Sequence, residues 1–150
     1  MHRSNSLQKG SDMRITLESD YALRILTAMA GYTEVTDAKT IAEDTSVTIR
    51  FTLKILHKLL QGNLVSSYKG VNGGYMLKLP PEKITLKDVI ELIDGPIAIA
   101  RCLGSGECCS MVSDKTACSY HHIFDEISIE LSAKLQNITI ADVLMRKRNL

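Results

Sequence analysis

Apolar residues recur at helical intervals through LESDYALRILTAMAG, where Ala22, Leu23, Leu26, Met29 and Ala30 would line one face, with Ser19 as the expected N-cap and Gly31 as the stop. A shorter helix is predicted next. Asp37 caps it, Ile41 and Ala42 face inward, and Thr45 and Ser46 break it. After a turn of roughly three or four residues, Thr48 caps a longer helix with Phe51, Ile55, Leu56, Leu59 and Leu60 on one side. Its other side carries Arg50, Lys54, His57, Lys58 and Gln61, and Gly62 ends it. A short helix, a tight turn and a longer helix with a basic outer stripe form the layout of a helix-turn-helix.

The pattern then changes period. LVSSYKGVNGGYMLKL reads as two strands around a tip in which Gly70, Asn72, Gly73 and Gly74 supply the positive φ angles of a tight hairpin. A hairpin directly after a recognition helix is a wing, and Lys69 lies at its tip region, within reach of a phosphate or the minor groove. Pro80 and Pro81 close it. A fourth helix opens with the capping pair Thr85 and Asp88, runs apolar through Leu86, Val89, Ile90 and Ile93, and stops at Gly95 and Pro96. Farther on, Ile123, Phe124, Ile127, Leu131 and Leu135 repeat along a long amphipathic helix that needs a cover; a second subunit is the simplest one. The tail ITIADVLMRKRNL is a short amphipathic end with a basic terminus.

At 150 residues, 45% hydrophobic and 23% charged, the chain has an ordinary globular composition for one domain, or one domain plus an accessory element. Its longest apolar runs fall well short of the roughly 18 residues of a membrane span. MHRSNSLQKGSD lacks the apolar stretch of a secretory signal, so residues 1–12 are expected to be a disordered leader or tag. A soluble, cytoplasmic protein is the expectation. Net charge is only +1, but it is unevenly placed: Arg50, Lys54, Lys58, Lys69 and Lys78 fall within residues 46–79, where there is no Asp or Glu. That is a local cationic surface of the kind that binds phosphate. No nucleophile-base-orienter set or phosphate loop is present, so an enzyme is not expected.

All four cysteines and two of the four histidines lie in RCLGSGECCSMVSDKTACSYHH. In a reducing compartment such a cluster points to metal or redox chemistry ahead of a disulfide knot. Cys102 and Cys108 have five residues between them, Cys118 is followed by His121 in a Cys-x-x-His pattern, and Cys109 is an adjacent extra thiol. Soft thiolates on flexible segments suit an iron-sulfur cluster, the same spacing could hold zinc in a Cys3His site, and a Cys108–Cys109 thiol pair could sense oxidant without metal.

MRITLESDYALRIL, SVTIRFTLKILHKLL, the G-x-x-G-G-Y wing followed by I-T-L-x-D-V-I, and LQNITIADVL together resemble the IscR/NsrR regulators of the Rrf2 superfamily. The resemblance spans Met13 to Met145. It implies a mostly α fold with a small β-hairpin wing: a winged helix-turn-helix domain over 13–96, a cysteine-rich cluster-binding loop over 97–122, and a dimerisation helix and tail over 123–150. It further implies a homodimer on a partly palindromic operator in double-stranded DNA, with Thr48, Arg50, Phe51, Lys54, Lys58, Lys69, Asn72 and Gly73 as the DNA-contacting set. Lysine at position 69, where many relatives have arginine, keeps the charge and loses the planar fork.

For the cysteines the resemblance implies an iron-sulfur cluster, two-iron in preference to four-iron, held by Cys102, Cys108, Cys118 and His121. Cys109 is the alternative to Cys108. Asp20 is the alternative fourth ligand, with Glu18 a weaker one. The nine residues between Cys108 and Cys118 make this loop longer than the family's pattern. The expected function is a repressor or other DNA-binding regulator whose grip is set by a cluster sensing iron, redox state or nitric oxide. A metal-free repressor of the same fold, governed by thiol oxidation or a partner protein, is the alternative within the class, and a winged-helix protein-interaction module the alternative outside it.

Overall fold

A computed structural model describes residues 14–104 and 112–149; the leader over 1–12, Met13, Cys108 and Cys109 lie outside these. Six α-helices and one hairpin are arranged in the order α1 (Leu17–Met29), α2 (Ala38–Thr45), α3 (Ile49–Gln61), β1 (Val65–Tyr68), β2 (Gly74–Leu77), α4 (Leu86–Asp94), α5 (Ser119–Gln136) and α6 (Ile140–Arg148). The fold is mostly helical with a two-stranded antiparallel wing, as the hydrophobic pattern predicts.

Most caps agree with the sequence reading. Asp37 receives the backbone amides of Lys39 and Thr40, Ser46 ends α2 in a left-handed conformation, and Thr85 and Asp88 form a reciprocal capping box on α4. The first helix differs. Its N-cap is Thr16, which accepts from the Ser19 amide at 3.2 Å, whereas Ser19 itself is fully buried, its hydroxyl without a partner among the described residues. Two contacts from the far end of the domain decide between the two candidates: Asp94, the last residue of α4, accepts from both the amide and the hydroxyl of Thr16.

The core draws one or more apolar side chains from each of the surrounding elements. Ile25 and Leu26 of α1, Ile41 of α2, Ile55, Leu56 and Leu59 of α3, and Ile84 and Val89 at α4 are all fully buried. Each such side chain removed from water contributes about 1.5–3 kcal/mol before conformational entropy is counted. Ile140 of α6 is buried in this same core, so the C-terminal tail belongs to the winged unit. It is fastened there by backbone bonds, Leu86 N to Ile138 O and Ile140 N to Ile84 O, each 2.9 Å. Thr139 and Asp142 build a second capping box directly across from the first, joined by an antiparallel bridge between Thr85 and Thr139.

α5 is the exception to this packing. It begins at Ser119, ahead of its apolar repeat, so that Cys118 is its N-cap and His121 and His122 sit in its first turn. Of its eighteen residues only Ser128 is buried. Ser128 accepts from the Ile99 amide at 3.2 Å and donates to the Phe124 carbonyl at 2.7 Å, which ties the segment after α4 to the middle of α5. Among the described residues no helix is long and apolar enough to cross a membrane.

Candidate nucleic-acid interface and cysteine segment

α3 presents its polar side outward because Thr52, Ile55, Leu56 and Leu59 occupy the opposite face. Thr48 stands before its first turn in an extended conformation and accepts from the Phe51 amide at 3.5 Å. Arg50 is exposed beside it. Phe51 is 39% exposed, and its ring meets Tyr21 edge-on at 5.8 Å, so this side chain braces α3 against α1 while leaving part of its surface free.

The five cations of the basic segment are not equivalent. Both Lys54 and Lys58 are paired with Glu18 of α1, and Lys78 donates to the Asn63 side chain at 2.8 Å. Arg50 and Lys69, both exposed, have no ion pair among the described residues. The Lys54 ammonium first, and then that of Lys58, holds the Glu18 carboxyl below its usual range. No local pattern announces this pairing, because Lys54 lies thirty-six positions after Glu18 and only the α1–α3 packing brings them together.

The wing pairs Val65 with Leu77 through to Tyr68 with Gly74. Thr36 extends it: Tyr75 N donates to Thr36 O at 2.8 Å and Thr36 N to Tyr75 O at 3.0 Å, anchoring the hairpin to the α1–α2 connection. Positive φ occurs at Gly70 and Gly74 and not at Asn72 or Gly73. Gly73 is required for a different reason, since a Cβ there would come within 2.5 Å of the Tyr68 carbonyl oxygen. Lys69, Val71 and Asn72 are exposed on the turn. Val71 at the tip, and Ile49 and Leu53 flanking Arg50 on α3, are exposed apolar residues of this surface that the basic stripe did not single out.

In the cysteine segment, Cys102 lies in a short 3-10 turn and Cys118 caps α5; both are half-buried free thiols. Lys115 links the two ends, its ammonium donating to the Cys102 carbonyl at 3.1 Å. His122 Nε2 lies 2.6 Å from the Thr116 carbonyl. His121 is different: its Nδ1 is buried and has no hydrogen-bond partner among the described residues, an arrangement that costs free energy unless something else engages that nitrogen. Among the described residues no three His, Cys, Asp or Glu side chains gather as a metal-binding group. Of the alternative ligands, Asp20 is paired with Arg24 at 2.6 Å within α1, and both Glu18 oxygens are taken by lysines. Thiolates with a buried imidazole nitrogen are donors suited to an iron-sulfur cluster, and the His121 Nδ1, without a hydrogen-bond partner among the described residues, is the point at which this chain fits one.

Comparison with known proteins places these features in a lineage. Residues 15–146 match the family model Rrf2, described as an iron-dependent transcriptional regulator. The chain is 26% identical over 140 residues to the HTH-type transcriptional regulator NsrR of Bacillus subtilis (strain 168), covering 92% of this chain and 94% of that one. It is likewise 26% identical to the HTH-type transcriptional regulator IscR of Vibrio cholerae serotype O1, over 89% of this chain and 76% of the relative. Among solved structures it resembles CymR, the global cysteine regulator of Bacillus subtilis, with a TM-score of 0.72, 23% identity, and coverage of 90% of this chain and 98% of that one.

Proposed function

The chain belongs to the Rrf2 family of transcriptional regulators, and we propose that it binds a partly palindromic duplex operator as a homodimer whose affinity is set by an iron-sulfur cluster. Like its family, it is a DNA-binding regulator and not an enzyme. The α3 start, with Thr48, Arg50 and Phe51, would enter the major groove, while Lys69, Asn72 and Gly73 of the wing reach toward the neighbouring minor groove. Lys54 stands one turn, and Lys58 two turns, farther along α3. The exposed apolar side of α5, with Ile123, Phe124, Ile127 and Leu131, would be covered by the same helix of a second copy.

The observation that carries the cluster reading is the buried, unpartnered Nδ1 of His121, three residues after Cys118. Cys102, Cys118 and His121 would be ligands, with Cys108 or Cys109 supplying the remaining thiolate; the two-iron type suits three thiolates and one imidazole. When bound, such a cluster supplies a centre that reacts with oxidant or nitric oxide and that is lost when iron is scarce. The chain's own residues are arranged to respond to how its thiols are held. Lys115 ties the Cys102 turn to the start of α5, Ser128 ties Ile99 to the middle of α5, and Asp94, just before the segment, holds the N-cap of α1. A change in the cysteine segment therefore bears on both the proposed dimer helix and the helix packed beside α3.

The test is anaerobic purification of wild type and of His121→Ala and Cys102→Ala variants. A brown wild-type protein with visible absorption and stoichiometric iron and sulfide, absent in Cys102→Ala and labile in His121→Ala, supports the reading. Colourless protein after reconstitution, with operator release tracking oxidation of Cys108 or Cys109 by mass spectrometry, would replace it with control by metal-free thiols.

A further inference from the structure

Lys54 and Lys58 lie one helical turn apart on α3, the first exposed and the second half-buried, and both are occupied by a single carboxylate of the same chain. Glu18 is held in place to do this. It sits in the first turn of α1, whose N-cap Thr16 is fixed by Asp94, and the Tyr21–Phe51 contact locks α1 against α3. The carboxylate is only partly exposed, with 26% of its side-chain surface accessible, while the Lys54 side chain is 52% and that of Lys58 33% accessible. Lys54 is thus exposed and Lys58 half-buried along the side of α3 next to α1, and Glu18 lies against both as an acceptor with the charge and bonding of a phosphate oxygen.

We propose that Glu18 is an internal phosphate mimic that keeps Lys54 and Lys58 out of DNA binding, making it an autoinhibitory residue of the nucleic-acid interface. The inference rests on the DNA-binding reading given above. A phosphate reaching either lysine has to displace an acceptor that is already in place at high effective concentration, and afterwards lies close to the carboxylate it displaced. Within the basic segment the electrostatic part of the grip is thereby left to Arg50, Lys69 and Lys78, which have no ion pair among the described residues. Sequence-independent binding, which is almost wholly phosphate contact and counterion release, is the component most reduced.

The experiment is a double-mutant cycle on the full chain, with anisotropy titrations of a fluorescent random-sequence duplex from low to physiological salt. Glu18→Gln keeps the side-chain volume and removes the charge. It should tighten binding about tenfold at low salt and steepen the salt dependence, each regained phosphate contact adding roughly 0.9 to the slope. In a Lys54→Met/Lys58→Met background the same change should lose that gain. Equal affinity and slope for Glu18→Gln and wild type would overturn the proposal, and so would an equal gain in both backgrounds, which would mark a general charge effect. A wild-type protein that binds no duplex at any salt would overturn the DNA-binding reading itself, and this inference with it.

Discussion

Ile55, Leu56 and Leu59 of α3 are fully buried, whereas the longer α5 leaves Ile123, Phe124, Ile127, Ile129 and Leu131 exposed and buries only Ser128. Both helices carry apolar residues at helical spacing, so the same signal has two different completions. In α3 the partner surface comes from α1, α2 and the wing of the same chain. For α5 none of the described residues supplies one, and the second copy proposed above would cover this stripe. The proposed functional parts divide the same way: the proposed DNA-facing residues stand on a finished core, and Cys118 stands at the start of the helix with the uncovered face.

The comparison breaks most visibly at α5. Ile127→Glu would place an unpaired charge in the proposed interface and should weaken self-association by about 3–5 kcal/mol, more than a hundredfold. Sedimentation over a range of concentrations measures this, and the winged unit should keep its helical content. Leu56→Ala acts on the other region: a loss of about 3 kcal/mol is expected from the transfer and cavity terms, seen as a lower urea midpoint with dimer affinity nearly unchanged.

The twin capping boxes sharpen the boundary between the two regions. Thr85→Ala and Thr139→Ala should each cost about 1 kcal/mol, and comparable losses would establish α6 as part of the winged core. Were Thr139→Ala to change self-association alone, α6 would belong with α5. The smallest effect is that of Glu18. Its folded-state pKa is depressed by Lys54 and then Lys58, so its contribution is present at neutral pH and fades as pH falls through that depressed value. Glu18→Gln should therefore flatten the acid limb of a pH-stability curve by less than about 1 kcal/mol.

Local chemistry was the most legible part of the sequence. Thr48, Asp37, the Thr85–Asp88 pair and Gly95 all do what their residue types dictate, because a cap depends on neighbours within one turn. The α1 cap differs from the sequence expectation for the opposite reason. Thr16 and Ser19 are both competent, and the choice is made by Asp94, seventy-eight residues away. The Thr139-x-x-Asp142 signal was present in the tail, but its docking across Thr85 is a long-range bridge that no local pattern announces. The basic stripe was legible as charge and illegible as electrostatics: which of its lysines are already engaged depends on how α1 lies against α3. In the cysteine segment, spacing named the donors, while burial of one His121 nitrogen emerged only from the fold.

The central claim concerns affinity and its control by the cysteine segment. The most direct measurement is the Kd for a duplex selected by this protein, taken anaerobically on cluster-loaded protein and on the same preparation after chelation of its iron. A difference of about tenfold or more is predicted, within the usual 1–3 kcal/mol of coupling between two sites, and Cys102→Ala should show one fixed affinity under both treatments. Identical Kd values for loaded and stripped wild type would contradict the account.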